Sequence, residues 1–204
     1  MNETSGGQEP DSPRRATPEE LRGLALWRHY EAARERAATL VALSRYRATD
    51  REPLYVLHTR QHHQLIDALH DFCYHARKTL ELAEQHRPGI LERANNMRLL
   101  RNGGELDLGI DGPVVLADRT LLWMLGRVIH SQDVGICARE EIDIGSPWAA
   151  APKTTSYWPM VAVGVRSDFD EPNDYHYVSI EQLVEAFCRL DDSIHEALDA
   201  ARRY

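Results

Sequence analysis

The sequence has little cysteine, no long apolar run and no excess of positive charge. Its 204 residues include three cysteines without CxxC spacing, which favours a reduced, cytoplasmic interior over a disulfide framework. No stretch is apolar enough to cross a bilayer and no signal peptide is visible, so we expect neither membrane insertion nor secretion. The net charge of −8 excludes a whole-protein basic field for nucleic acid. Any nucleic-acid site must therefore be a local patch.

Several signatures of catalysis are also missing. The phosphate-binding patterns GxxxxGK and GxGxxG and the nucleophile pattern GxSxG do not occur. Histidines are abundant between residues 58 and 86, where His63, Asp67 and His70 share a helix face that would permit a bound metal. The alternative is a solvated, His-rich face, because HExxH and Glu-x-x-His pairs are absent. We therefore predict no metal and no cofactor.

The pattern of apolar residues predicts an α+β fold: a mainly helical bundle with a small antiparallel β-sheet inserted before the last helix. Residues 1–16 are predicted to be a disordered tail, and 17–204 a single domain with a β-insertion at about 132–178. Two long helices, 17–46 and 54–86, should lie antiparallel. The remaining predicted helices are 90–100, 119–130 and 179–202, and the predicted strands are 106–110, 113–116, 134–144, 160–166 and 175–178.

The helix predicted at 119–130, capped by Asp118, carries a candidate site. Arg119, Trp123, Arg127 and His130 fall within about 80° of one another, away from the apolar stripe. Arg119 and Arg127 could hold a phosphodiester, Trp123 could stack a base, and His130 could move a proton. Such a site would cleave RNA without a metal. Alternatively, Trp123 packs under the β-layer and the arginines pair with nearby acids.

A family resemblance also favours RNA cleavage without a metal. Two long antiparallel helices, a further helix ending in LGRVIHSQDV and a last amphipathic helix resemble a HEPN-type bundle with a β-insertion, over residues 17–203. Members often carry an arginine followed four to six residues later by a histidine, and use both, as dimers, for metal-independent RNA cleavage in toxin-antitoxin and phage-defence systems. Here that spacing occurs at Arg189 and His195, with Leu190 replacing the polar residue that commonly follows the arginine.

The resemblance implies an endoribonuclease, or its inactive relative, that acts as a homodimer on RNA. Its catalytic candidates are Arg127, His130 and His195, and its substrate-binding candidates are Arg119, Trp123 and Arg189. In one straight helix, however, His195 would lie about 120° from Arg189, so the two would not meet. Asp191 falls inside the apolar stripe of this helix, where a carboxylate needs a partner. An Asp191–His195 pair could orient a catalytic imidazole, and a structural hydrogen bond is the alternative.

A different hypothesis needs no catalysis. Trp148, Tyr157 and Trp158 lie in or beside a loop rich in proline and small residues, and exposed aromatic rings in such loops often anchor a partner. The chain would then be an interaction module that binds another protein or a second copy of itself. RNA cleavage resistant to EDTA would separate the first hypothesis from this one.

Overall fold

The computed structural model describes residues 16–46, 54–99, 104–108, 113–139, 141–144, 154–157, 159–168, 170–171 and 174–203, with backbone only at 54–58, 141–144 and 154–157. The predicted α+β class is confirmed: the described part is mainly helical with small antiparallel sheets. Its helices are α1 Pro18–Ser44, α2 Leu54–His86, α3 Ile90–Asn96, α4 Leu121–Ile129, α5 Ile180–Cys188 and α6 Asp191–Ala201. The strands are β1 Glu105–Asp107, β2 Pro113–Val115, β3 Ser131–Ala138, β4 Glu141–Ile144, β5 Thr154–Tyr157, β6 Met160–Ser167 and β7 His176–Ser179.

The start of α1 follows its local sequence. The Thr17 hydroxyl accepts a hydrogen bond from the Glu20 amide at 3.2 Å, and the Glu20 carboxylate accepts one from the Thr17 amide at 2.7 Å. Pro18 occupies the first helical turn, where its missing amide proton costs nothing. This reciprocal capping satisfies amide groups that no helical carbonyl can reach.

Helix α2 runs antiparallel to α1, as predicted. His29 of α1 meets His75 of α2, whereas Arg36, two turns later on α1, pairs with Asp71, one turn earlier on α2. The apolar stripe of α2 is buried between α1 and the other helices, and its fully buried members include Leu65, Leu69, Phe72, Ala76, Leu80 and Ala83.

The single helix predicted from Ser179 to Arg202 is wrong: α5 ends at Cys188 and α6 begins at Asp191. The Leu190 amide bonds to the carbonyl of Phe187, three residues back, which tightens the chain into a turn. Leu190 is buried at this turn. Asp191 and Asp192 then open α6, where carboxylates are favoured by the helix dipole.

Helix α6 packs antiparallel to α1. Tyr30 contacts the start of α6 at Asp191, and Gly23 lies against Ala201 near its end. A Cβ on Gly23 would lie 3.1 Å from the Ala201 Cβ, so a side chain there would push the two helices apart. This close approach brings polar side chains of α1 and α6 together at Tyr30, about two turns further along α1.

The main sheet has the order β3-β6-β7, with both pairings antiparallel. The central strand, β6, is buried along nearly its whole length, and α4 packs against it. The predicted strand 134–144 is wrong in its extent, because the chain forms two strands, β3 and β4. β4 pairs with β5, which lies in a segment predicted to be a loop. The predicted hairpin is confirmed by the pairing of β1 with β2.

Smaller corrections concern helix ends. Helix α3 stops at Asn96 rather than near Leu100, and Met97 has an extended backbone. The N-cap of α4 is Thr120 rather than Asp118, since the Thr120 hydroxyl accepts from the Trp123 amide. Within the described ranges, no helix combines the length and hydrophobicity needed to cross a bilayer. The predicted tail lies outside the described residues except for Ala16.

Candidate functional site

The predicted cluster on α4 forms in part. The guanidinium carbons of Arg119 and Arg127 lie over the Trp123 ring, 5.1 and 4.8 Å from its centroid. The ring of His176, on β7, meets the indole edge to face, with centroids 4.9 Å apart. Trp123 is half-buried. Two cations and a neighbouring ring therefore already occupy the indole surface that was predicted to stack a base.

Arg127 is held inside the protein rather than presented to solvent. Its Nη2 lies 3.1 Å from Oδ1 of Asp170, and its Nη1 donates to the Ser167 hydroxyl. The side chains of Arg127 and Asp170 are 21% and 4% exposed. The pairing matches the alternative interpretation of this helix face, in which the arginine charge is neutralised by a nearby acid.

Asp170 is the centre of this network. Its carboxylate accepts from the Ser167 amide and hydroxyl, both at 2.8 Å, and lies 3.2 Å from Nε2 of His176. Desolvation acts to raise the pKa of Asp170, but these hydrogen bonds and the charge of Arg127 outweigh it and lower the pKa. The aspartate is thus held as a carboxylate, which fixes Arg127 against the end of β6.

His130 has different surroundings from Arg127. It is the C-terminal cap of α4, and its side chain is exposed. Arg127 turns toward the sheet, and no hydrogen bond or ion pair joins the His130 side chain to another of the described residues. The structure therefore shows Arg127 engaged with the sheet and His130 exposed at the end of α4.

Arg189 and His195 are also directed to different neighbours. Arg189 pairs with Glu185 at 2.6 Å and lines a groove between α3 and the α5–α6 turn. Arg93 and Arg98 line the same groove. His195 faces α1 instead. The single straight helix from which their separation was predicted is replaced by α5 and α6, with Arg189 as the C-cap of α5 and His195 within α6.

A more complete arrangement lies between α1 and α6. The Tyr30 hydroxyl is 2.5 Å from Oδ1 of Asp191 and 3.0 Å from Nε2 of His195. A tyrosine has one hydroxyl proton, which it donates to the carboxylate, so its oxygen accepts from the His195 Nε2–H. The Nδ1 atom of the exposed His195 ring then keeps its lone pair when the imidazole is neutral. The result is an exposed imidazole linked through a buried tyrosine to a carboxylate.

Burial and charge support this chain of hydrogen bonds. Desolvation, together with the hydrogen bond to Asp191, raises the pKa of Tyr30, so the phenol remains a proton donor. The guanidinium carbon of Arg34 lies 5.6 Å from the centroid of the Tyr30 ring, which places a cation beside the same ring that His195 contacts edge to face at 5.3 Å. Arg34 pairs with Glu31, one turn earlier, at 3.6 Å, but unlike Arg127 it is more than half exposed. A base and a cation thus flank Tyr30 at the protein surface.

The sequence pattern pointed to only half of this arrangement. It indicated that Asp191 needs a partner, and it named His195, but it missed Tyr30 and Arg34. Tyr30 lies on the apolar face of α1, where an aromatic residue is ordinarily part of the core. Its role becomes visible only when the α1–α6 packing is known.

Two other predicted features have different outcomes. Trp148 and Trp158 lie outside the described residues, and Tyr157 is described only as part of the backbone of β5. In the described part of the chain, three side chains that could ligate a metal come together at Asp170, Asp174 and His176, and not at the face of α2 formed by His63, Asp67 and His70. A cation there would compete with Arg127 for Asp170, because both would contact the same carboxylate.

Helix α1 also exposes apolar side chains. Leu24 and Trp27 are 44% and 45% exposed, and Leu21, one turn earlier, is 54% exposed. Their spacing places them on one side of the helix. This row of exposed apolar residues, Leu21, Leu24 and Trp27, is named the α1 row below.

Comparison of the chain with models of protein families, with curated proteins and with solved structures found no significant match. The functional argument therefore depends on the geometry of the residues themselves.

Proposed function

We propose that this protein is a metal-independent endoribonuclease, resembling the HEPN-type enzymes, in which His195 is the catalytic base. The observation that supports this assignment is the Asp191–Tyr30–His195 chain of hydrogen bonds, which ends in an exposed imidazole, with Arg34 over the same tyrosine ring. The base is thus assigned to His195 rather than to His130, because Arg127, the proposed companion of His130, is neutralised by Asp170.

The proposed reaction is a transesterification within the RNA strand. Nδ1 of His195 accepts the proton of a ribose 2′-hydroxyl, whose oxygen attacks the adjacent phosphorus. The bond from phosphorus to the 5′-oxygen breaks, and the imidazolium returns the proton to that leaving oxygen. The products are a 2′,3′-cyclic phosphate and a 5′-hydroxyl end, with no metal or redox partner required.

The neighbours of His195 suit this role. Asp191, acting through Tyr30, stabilises the imidazolium that forms during the reaction and fixes the orientation of the ring. The Arg34 guanidinium can contact the phosphate oxygens, where negative charge builds up as the bond forms. Tyr30 and Asp191 are positioning residues in this proposal, and His195 and Arg34 contact the substrate.

A groove lined by three exposed arginines and by Glu92 can guide the remainder of the strand. Arg189, predicted from the sequence to bind substrate, lines it together with Arg93 and Arg98. Arg98 forms a β-bridge with Thr120, which is next to the predicted substrate-binding residue Arg119. We assign this arginine groove to contacts with RNA phosphates, a local patch of the kind that an acidic protein requires.

RNA cleavage in the presence of EDTA tests the proposal. Purified full-length chain should cut single-stranded RNA and leave cyclic phosphate ends, and His195→Ala should lose at least about 100-fold in rate, the scale of a general base. His130→Ala is the matched control, because both histidines are exposed, and it should cut like the unaltered protein. Intact RNA with the unaltered protein, or equal rates for the two variants, would refute the assignment.

The α1 row favours a second candidate function, self-association through α1. In an antiparallel pairing of two α1 helices about a two-fold axis near residues 31 and 32, Arg28 of each copy faces Glu35 of the other. Both residues are exposed, and their opposite charges make the pairing complementary. The pairing also brings the α1 row toward the second copy. This gives the interaction-module hypothesis a surface within the described residues.

Light scattering coupled to gel filtration tests the α1 pairing. The unaltered chain should elute as a dimer, and Leu24→Glu should convert it to a monomer. Val115→Glu, at an apolar position that is 67% exposed elsewhere, is the control and should remain dimeric. Arg28→Glu should weaken the dimer and the added Glu35→Arg should restore it. A monomer at all concentrations, or no effect of Leu24→Glu, would exclude this surface.

A further inference from the structure

Two histidines from different helices meet at the α1–α2 interface, and the one on α1, His29, directly precedes Tyr30 of the site proposed above. Nδ1 of His29 on α1 lies 2.9 Å from Nδ1 of His75 on α2, and both side chains are half-buried. Their ring centroids are 5.0 Å apart. The Tyr74 ring stands edge to face against both imidazoles, at 5.9 Å from His29 and 5.2 Å from His75. Backbone packing and an aromatic wall therefore hold the two nitrogen atoms together.

We propose that His29 and His75 form a binding site for a late first-row divalent metal ion, such as zinc, that clamps α1 to α2. Imidazole nitrogen is a preferred ligand of these ions. With metal–nitrogen distances of about 2.0–2.1 Å, two ligands at a right angle are about 2.9 Å apart, and two in a tetrahedron about 3.3 Å. The observed separation fits the first geometry directly and the second after a shift of a few tenths of an ångström.

The protonation states allow this site without a change in net charge. In the hydrogen bond between the two rings, one Nδ1 carries a proton and donates, and the other Nδ1 accepts through its lone pair. A metal needs both lone pairs, so the donor ring must carry its proton on Nε2 instead, which is an ordinary neutral form of histidine. Water molecules can complete the coordination of the ion.

The surrounding charges permit a cation. Lys78 is the nearby positive group on α2, and it is paired with Glu81 at 2.6 Å. Asp71 lies one turn before His75 and pairs with Arg36 across the two helices at 3.2 Å. Lys78 and Arg36 therefore each have a carboxylate partner, which reduces their repulsion of a bound ion.

The sequence could not reveal this pair. His75 belongs to the His-rich stretch of α2, but its partner is 46 residues away on α1. Spacing along α2 pointed instead to His63, Asp67 and His70. The antiparallel register of α1 and α2 selects His75 from that stretch.

Zinc titration of the full-length chain after EDTA treatment and buffer exchange tests the proposal. Isothermal titration should show a site that is at least about tenfold weaker in His29→Ala and in His75→Ala, since removing a ligand costs no less than disturbing its support. His63→Ala and His176→Ala, which alter the other candidate ligands, should keep the affinity of the unaltered chain. Magnesium should not bind, because it prefers oxygen ligands.

A second readout tests the clamp itself. Zinc should raise the melting temperature of the unaltered chain, because a ligand that binds only the folded state stabilises it. The rise should disappear in His29→Asn, a second variant that serves if the alanine variant folds poorly. His29→Ala and His29→Asn should both retain RNA cleavage, which separates this site from the proposed active site. Unchanged zinc affinity in both histidine variants, or no zinc-dependent rise in the unaltered chain, would overturn the proposal.

Discussion

Tyr30 is the residue that joins α1 to both polar groups of α6. It is 1% exposed, and its single hydroxyl contacts a carboxylate and an imidazole from consecutive turns of the neighbouring helix. Buried polar groups are costly unless they are paired, so this hydroxyl and Asp191 depend on each other. A structural and a catalytic role for Tyr30 are compatible, because the same hydrogen bonds serve both.

Removing only the hydroxyl separates its contribution from that of the ring. Tyr30→Phe should lower the free energy of unfolding by about 1–3 kcal/mol, because Asp191 loses a short hydrogen bond in a partly buried position. The same variant should shift the pH dependence of RNA cleavage, since His195 loses its link to the carboxylate. Tyr74→Phe, at an exposed ring, is the control in urea unfolding. A loss no larger than that of the control would show that the hydrogen bond contributes little.

The stability of the folded state depends on pH through Asp170. Its folded pKa lies below the ordinary value of 3.8, so ionisation favours the folded state. The stabilisation is complete above about pH 4 and is lost as the pH falls through the lower, folded pKa. Urea unfolding between pH 2 and 5 should therefore show a pH dependence that is reduced in Asp170→Asn. The exposed Asp168→Asn is the control, and identical profiles for the two variants would contradict this role.

At the scale of the elements, local signals predicted where helices begin better than where they end. Thr17 and Ser179 cap α1 and α5, and both caps can be read from the sequence because they depend on residues three apart in the chain. The break before α6 has no glycine or proline, and the buried Leu190 continues the apolar pattern, so only packing reveals it. Likewise, β5 was predicted to be a loop because its own sequence has no strand pattern, and it forms a strand by pairing with β4.

The N-cap of α4 offers a direct comparison of a predicted residue with the observed one. Thr120→Ala should cost about 1 kcal/mol of stability, because the Trp123 amide loses its acceptor. Asp118→Ala should cost less, since Asp118 contributes an exposed ion pair with Arg98 and no cap. Equilibrium urea unfolding of both variants measures the difference. A larger loss of stability for Asp118→Ala would support Asp118 as the N-cap, as predicted from the sequence.

At the scale of the whole molecule, the candidate sites show why composition is a weak guide to function. The formal charge of −8 disfavours RNA overall, yet the arginine groove gathers Arg93, Arg98 and Arg189 from two separate parts of the chain. The predicted residues Arg119 and Trp123 were identified from a helix face, and Arg189 from its spacing to His195. Which of them share a surface depends on how α3, α4 and the α5–α6 turn pack, and no local pattern contains that information.

The arginine groove makes a prediction about salt. Because the remainder of the surface is acidic, binding of RNA should involve few phosphates, and three contacts with a single strand give a slope of about −2 for log K against log salt concentration. Fluorescence anisotropy with 2′-O-methyl RNA, which lacks the attacking hydroxyl, measures this slope without cleavage. Arg189→Ala should make the slope shallower by about 0.7, the share of one phosphate contact. Arg22→Ala, at an exposed arginine paired with Glu19 on α1, should leave it unchanged, and equal slopes for both variants would place the RNA elsewhere on the protein.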